Sequence, residues 1–287
     1  MIRPCIALIL LIATTLAISA QAPGLSLVAP PSNIDSRFFL AADMQWASVK
    51  MNGTVNPTDF ESTLVPQLTV GWQRLAEQLF FANYRFLGAD VGESFNVGVP
   101  DLESSMSRRI RLNTIDIVYR ERLGGEGVPF GLDVDMGSRF AWAYFTDTNH
   151  ALTIAGPVNT QRELDFYVGG ARLGIRPYWM FDESAWQMTL YAQGNIAWLW
   201  GNFDSKYYQN SAISGVTSRS SNSWDTLWNY DAEAGMSMYI PGFEGILQLS
   251  GGYRYEGWST GQMSSLTGSD PGRLTFHGPF LRLQWLF

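Results

Sequence analysis

Residues 186–200 read Trp-Gln-Met-Thr-Leu-Tyr-Ala-Gln-Gly-Asn-Ile-Ala-Trp-Leu-Trp, and their alternation decides the fold. Trp186, Met188, Leu190, Ala192, Gly194, Ile196, Trp198 and Trp200 share one face of an extended chain, while Gln187, Thr189, Gln193 and Asn195 share the other. Successive side chains of a strand point to opposite sides, so this is a strand with one apolar and one polar face. Soluble strands usually run ~5–6 residues, and this one persists about three times as far. The twelve steps from Trp186 to Trp198, at ~3.3 Å each and ~45° tilt, rise roughly 28 Å, close to the ~25 Å apolar band of a transmembrane barrel. Tryptophans at its two ends suit two lipid headgroup levels.

The spacing recurs outward from this stretch. Phe130, Leu132, Val134, Met136, Phe140 and Trp142 have one parity, and Asp133, Asp135 and Arg139 the other. Trp228, Tyr230, Ala232, Ala234, Met236, Met238 and Ile240 alternate with Asn229, Asp231, Glu233 and Ser237. Ten such segments are expected: 37–51, 62–75, 78–88, 109–121, 129–146, 163–180, 185–202, 224–240, 244–258 and 273–287. An even number suits a single-chain bacterial barrel, with eight or twelve strands as alternatives. Long polar connections at 52–61, 89–108, 147–162, 203–223 and 259–272 alternate with short ones, the asymmetry of outer-membrane barrels, whose phase places both termini in the periplasm. In the fourth segment Ile110 and Leu112 have one parity but Ile115, Ile117 and Tyr119 the other. Either a bulge near Asn113, or Arg109 and Arg111 above the membrane, is expected there. The sixth segment is weakly amphipathic, with Gly169, Gly170 and Gly174.

Composition narrows the class further. The 287 residues are 46% hydrophobic and 14% aromatic, with 19 Lys+Arg against 26 Asp+Glu and a formal net charge of -7. Such a chain lacks the basic stripe that nucleic-acid phosphates require. Arg3, the apolar run Ile6 to Ile18 and Ala20-Gln21-Ala22 read as a secretory signal peptide over 1–22, followed by a periplasmic tail at 23–35 and the barrel at 36–287. Cys5 lies in the leader, so thiol catalysis and cysteine-ligated metals are excluded from the mature chain.

The chain ends Leu281-Arg282-Leu283-Gln284-Trp285-Leu286-Phe287. With Leu281, Leu283, Trp285 and Phe287 on one parity, it resembles the C-terminal signature of Gram-negative outer-membrane β-barrels, which their insertion machinery reads. Leu112 to Tyr119, the glycine-rich turn after it and Gly131 to Tyr144 are similar to the Legionella-type major outer-membrane protein group, whose members are porin-like. That resemblance covers about a tenth of the chain and implies pore formation.

Chemistry is sparse. His150, in Asp147-Thr148-Asn149-His150, lies where a ten-stranded barrel protease carries Asp-Asp and Asp-His pairs, but no second acidic pair accompanies it. His277 in Phe276-His277-Gly278-Pro279 has no His-x-Ser motif of the barrel phospholipase or deacylase type, despite Ser264 and Ser265 nearby in sequence, and the stretch reads as a break or bend at the top of the last strand. Gly124-Gly125-Glu126-Gly127 is a turn without the Lys-Ser/Thr of a phosphate loop. Asp133 and Asp135 either bind a hard cation or join Arg139 in a lumen charge network. Asp225 and Asp270 are either solvated or bridged to lipopolysaccharide through divalent ions. No catalytic residue, cofactor or metal site is assigned.

Parity places Asp43, Arg85, Asp116, Asp133, Asp135, Arg139, Arg172, Arg176, Asp231, Glu233, Arg254, Glu256 and Arg282 inside. Mixed signs either pair into a plug or line opposite pore walls. Phe130, Trp142, Trp186, Trp198, Trp200 and Trp228 are expected at the membrane interfaces. About ten strands lie nearer the filled ~8-strand barrels than the open 16–18-strand ones. Three functions follow: a porin-like channel for ions or small polar solutes, a closed structural or surface-interaction (adhesin-like) barrel, or, less in keeping with the residues, a barrel hydrolase. The partners expected are outer-membrane lipid, lipopolysaccharide and the barrel insertion machinery.

Overall fold

The computed structural model describes residues 37–52, 58–75, 78–96, 103–123, 129–153, 156–183, 186–242, 245–260 and 272–287. The expected leader and tail lie outside these residues, as do Gly124 to Gly127, Ser264, Ser265 and Asp270. Ten strands follow in order: β1 (Arg37–Asn52), β2 (Thr58–Leu75), β3 (Gln78–Asn96), β4 (Glu103–Leu123), β5 (Phe130–Thr153), β6 (Gly156–Glu183), β7 (Trp186–Ser211), β8 (Gly215–Gly242), β9 (Gly245–Thr260) and β10 (Gly272–Leu286). Each pairs antiparallel with its sequence neighbours, and β1 pairs with β10 to close one barrel. Closure lets every strand find a partner, so a sheet can present an apolar exterior without an open edge. The start of β1 and the finish of β10 lie at one end, here the terminal end, together with the connections after β2, β4, β6 and β8.

Alternation sorts the side chains. Leu173, Ile175, Ile196, Met236 and Leu281 point outward and are exposed, while their chain neighbours Arg172, Ala197, Ser237 and Phe280 are buried inside. β4 keeps continuous register with both β3 and β5 through Asn113, so it has no bulge there. Ile110 and Leu112 point inward, and Ile115, Ile117 and Tyr119 outward. The parity change arises because the interior itself turns from apolar to charged along the strand.

β5 to β8 outrun their expected segments. The stretches 147–162 and 203–223, expected as long loops, are mostly strand: β6 and β8 each have 28 residues, and β7 meets β8 up to Ser211↔Gly215. A polar two-sided strand carries no hydrophobic alternation, yet its backbone ladder is the same. Gly215, at φ +71°, leaves the tight Ala212–Ser214 turn in the left-handed region that glycine adopts without a Cβ penalty.

One seam is incomplete. The β2–β3 ladder runs from Leu75↔Gln78 only to Gln67↔Arg85, although β2 continues on β1 to Thr58 and β3 on β4 to Asn96. The first residue beyond the ladder is Pro66, which has no N–H to donate. Past it, the Thr63 hydroxyl donates to the Gly88 carbonyl at 2.6 Å, a side-chain bond where the ladder has lapsed. Pro66→Val returns a donor to the seam and is expected to stabilise the barrel by about 0.5–1.5 kcal/mol. A higher midpoint in the heat-dependent gel shift is the readout; an unchanged midpoint would mean that proline does not hold the seam open.

Candidate functional site

The barrel interior holds two stacked tiers. The one nearer the terminal end is ionic. Arg139 on β5 donates through Nε and Nη2 to both carboxylate oxygens of Asp116 on β4, each at 2.6 Å. Its remaining nitrogen, Nη1, reaches across to the Asn229 side-chain oxygen on β8 and lies 3.2 Å from Asp231. Arg254 and Arg282 together clamp Asp43 and Glu233, at 2.6–3.1 Å. Arg85 on β3 pairs with Glu256 on β9, strands separated by three others around the wall, so this bridge crosses the lumen. The planar guanidinium fork suits such shared, bidentate pairing.

Of the residues assigned inward from parity, Arg176, Asp231 and Arg282 are partly buried and the others are buried. Arg176 lies 3.7 Å from Asp133, and Arg172 3.7 Å from Asp116. Arg120 was missed; it binds Asp135 at 2.6 and 2.9 Å. It shares parity with Asp116, and expecting a break in β4 concealed it. Neutral partners were missed too: Asn229 donates to Glu256 at 3.1 Å, and Gln193 to Asp135 at 3.1 Å. Polar amides carry no charge to draw notice, though the period-two pattern places them on the same face.

The second tier, farther from the terminal end, is apolar. Val49, Val65, Leu87, Ile110, Phe145, Phe166, Phe203, Leu227, Trp258 and Phe276 come one from each strand, belong to one packed cluster and are each at most 2% exposed. The rings of Phe145, Phe166 and Phe203 form a row at 5.9 and 5.3 Å. Water is therefore kept from the wall around its whole circumference at this height. The tiers are tied together: Trp258 Nε1 donates to Glu256 at 2.8 Å, and the Arg85 guanidinium sits 5.5 Å from the Phe276 ring centre.

On the outer face, Phe130, Trp198, Trp200 and Trp228 are exposed and Trp142 is half-buried, stacked on Tyr84. The Trp186 side chain lies outside the described residues. Leu281, Trp285 and Phe287 are exposed on the outside and Leu283 half-buried. Arg109 and Asp90 pair at 2.8 Å on the outer surface with both side chains more than half exposed. Arg109→Ala is expected to change stability by less than about 1 kcal/mol, a control for the buried pairs measured in the same unfolding assay.

The long strands β5–β8 raise a wall at the far end. Asn202 and Asn222 exchange amide hydrogen bonds across it at 2.7 and 3.2 Å, and Trp200 packs on Trp224 at 4.5 Å. Burial pushes the Asp165 carboxyl there above the usual range, Lys206 opposing the shift. His150 Nδ1 meets the Asn159 side-chain oxygen at 2.7 Å, and His277 Nδ1 meets the Tyr253 hydroxyl at 2.5 Å. Neither bond supplies the carboxylate that orients a general base in a hydrolase. Asp133 and Asp135 are engaged by arginines, and the described residues contain no group of three or more potential metal ligands.

No family model matches the chain, and no curated protein matches it. Among solved structures it is similar to the outer membrane protease OmpT from Escherichia coli, at 10% identity over 91% of this chain and 98% of that one, with a TM-score of 0.47. It is also similar to a major outer membrane protein from Thermus thermophilus, at 12% identity over 88% and 99%, TM-score 0.36. The transport unit of the autotransporter AIDA-I from Escherichia coli gives 11% identity over 95% and 96%, TM-score 0.34. Likeness at this level assigns no activity to this chain.

Proposed function

We propose that the chain is an integral barrel of the bacterial outer membrane, with both termini in the periplasm, whose interior is closed to solutes and whose working surface is the outer wall and the raised β5–β8 hairpins. The apolar outward faces and flanking aromatics support the membrane setting, where only closed barrels or helices satisfy every backbone group. The outward Leu281, Leu283, Trp285 and Phe287 support recognition by the barrel insertion machinery. The single observation that carries the closed reading is the apolar cluster drawn from all ten strands. Folded protein in a planar bilayer, its folding checked by the heat-dependent gel shift, is expected to leave the current at baseline. Discrete conductance steps from folded protein would refute a closed interior.

A porin-like channel, which the resemblance to the Legionella-type group implies, is the second reading. It requires the apolar tier to part, and the incomplete β2–β3 seam is the feature that favours it. In that case neutralising Asp133, Asp135 or Arg139 alters step size or ion selectivity. A closed barrel gives altered stability from the same variants and no current.

A further inference from the structure

The outer face of β8, β9, β10 and β1 carries a polar patch that a lipid-facing wall does not need. His277 points outward from β10, with Ser48 opposite it on β1 and Tyr255 opposite on β9. Its ring stacks on Tyr255 at 6.2 Å, and Tyr255 stacks on Tyr230 at 6.1 Å. The Tyr230 ring in turn covers Gly257, where an added Cβ would meet it at 2.3 Å, so glycine is what lets the ring lie flat against the wall. When the Tyr253 hydroxyl donates to His277 Nδ1, the imidazole proton sits on Nε2, which is then the ring's donor.

Height and charge identify what the patch meets. From Trp285 to His277 is eight strand steps, roughly 19 Å of rise, and to Arg273 twelve steps, roughly 28 Å, at ~3.3 Å per step and ~45° tilt. His277 therefore lies about 6 Å inside the far edge of a ~25 Å apolar band, and exposed Arg273 about 3 Å beyond that edge, at headgroup level. Lys50, one of only two lysines in a chain of net charge -7, stands beside Arg273 one row nearer the membrane centre. Lys50 has a contact of its own within the protein, and Arg273 stands close enough to Tyr255 to act on its phenol electrostatically, which sets a cation beside the aromatic rings. Flat aromatic rings beside basic groups fit a phosphorylated sugar better than a glycerophosphate, because stacked tyrosines offer a platform to a ring and Arg273 a fork to its phosphate.

We propose that this patch binds the phosphorylated disaccharide headgroup of an outer-leaflet glycolipid, the phosphate on Arg273 with Lys50 in support and the sugar on Tyr255 and Tyr230 with His277 Nε2 donating to it. The proposal rests on the outer-membrane reading with the terminal end periplasmic. The test is native mass spectrometry of the full-length folded barrel in detergent, titrated with lipid A, with dephosphorylated lipid A and with phosphatidylglycerol. The wild type is expected to retain lipid A, and K50A/R273A to need at least about tenfold more for half-saturation. H277F, which keeps an aromatic ring but loses the donor, is expected to weaken retention less. Equal retention by wild type and K50A/R273A, or phosphatidylglycerol binding as tightly as lipid A, would overturn the assignment. The heat-dependent gel shift after insertion into vesicles of each lipid separates the two failures: a barrel that inserts but shows no lipid A preference sinks only the patch, whereas one that never inserts sinks the membrane reading.

Discussion

Arg139→Ala is expected to destabilise the barrel by about 3–5 kcal/mol, the range for removing one partner from a buried ion pair. Arg139 is 2% exposed; it donates to Asp116 on β4 and to Asn229 on β8, and it lies 3.2 Å from Asp231, also on β8. Alanine leaves Asp116 without its bidentate donor in a place water does not reach, with Arg172 at 3.7 Å and not within hydrogen-bond distance. Arg139→Lys keeps the charge but cannot reproduce the fork, and an intermediate loss is expected. Asp116→Asn combined with Arg139→Met removes both charges together and is expected to recover much of the stability, because the cost lies in the orphaned carboxylate more than in the missing bridge. Urea or heat midpoints in vesicles for the full double-mutant cycle provide the measurement. An Arg139→Ala barrel as stable as wild type would mean that the ionic tier is hydrated and screened.

Trp258→Ala is expected to cost a similar amount, about 3–5 kcal/mol, but for a different reason. The indole is fully buried in the apolar tier, so its loss removes apolar contacts and leaves a cavity that the paired strands are too constrained to close. It also deprives Glu256 of the Nε1 donor at 2.8 Å. Trp258→Phe separates the two effects, keeping most of the ring while losing the donor, with an expected loss of about 1–3 kcal/mol. Current across a planar bilayer is expected to stay at baseline in both variants, because one cavity does not join the two ends of the barrel. Steps in Trp258→Ala alone would identify the apolar tier as a gate and favour the channel reading.

Particular residues show how far the sequence reaches. Period-two alternation in residues 186–200 and its repeats was enough for an antiparallel all-β barrel of ten strands, because the side-chain period of a strand is two whatever its partners are. It also separated the outward Ile196 and Trp198 from the inward Asn195. It was not enough for strand ends: 204–211 and 215–223 are largely polar on both faces, so hydrogen-bonded strand and solvated loop look alike until the partner strand is in view. Nor did it settle Arg120, because alternation assumes one interior chemistry along a strand and β4 passes through two.

What the sequence by itself determined is therefore the wall: strand count, which residues face out, and the apolar and aromatic exterior, all properties of local periodicity. What only the tertiary structure decided is the content of that wall. Arg85 meets Glu256 at a separation of 171 positions, and ten residues from ten strands pack into one apolar layer. Such contacts depend on the stagger and curvature of a closed sheet, which set which inward side chains share a height, and no pattern within a single strand encodes that height.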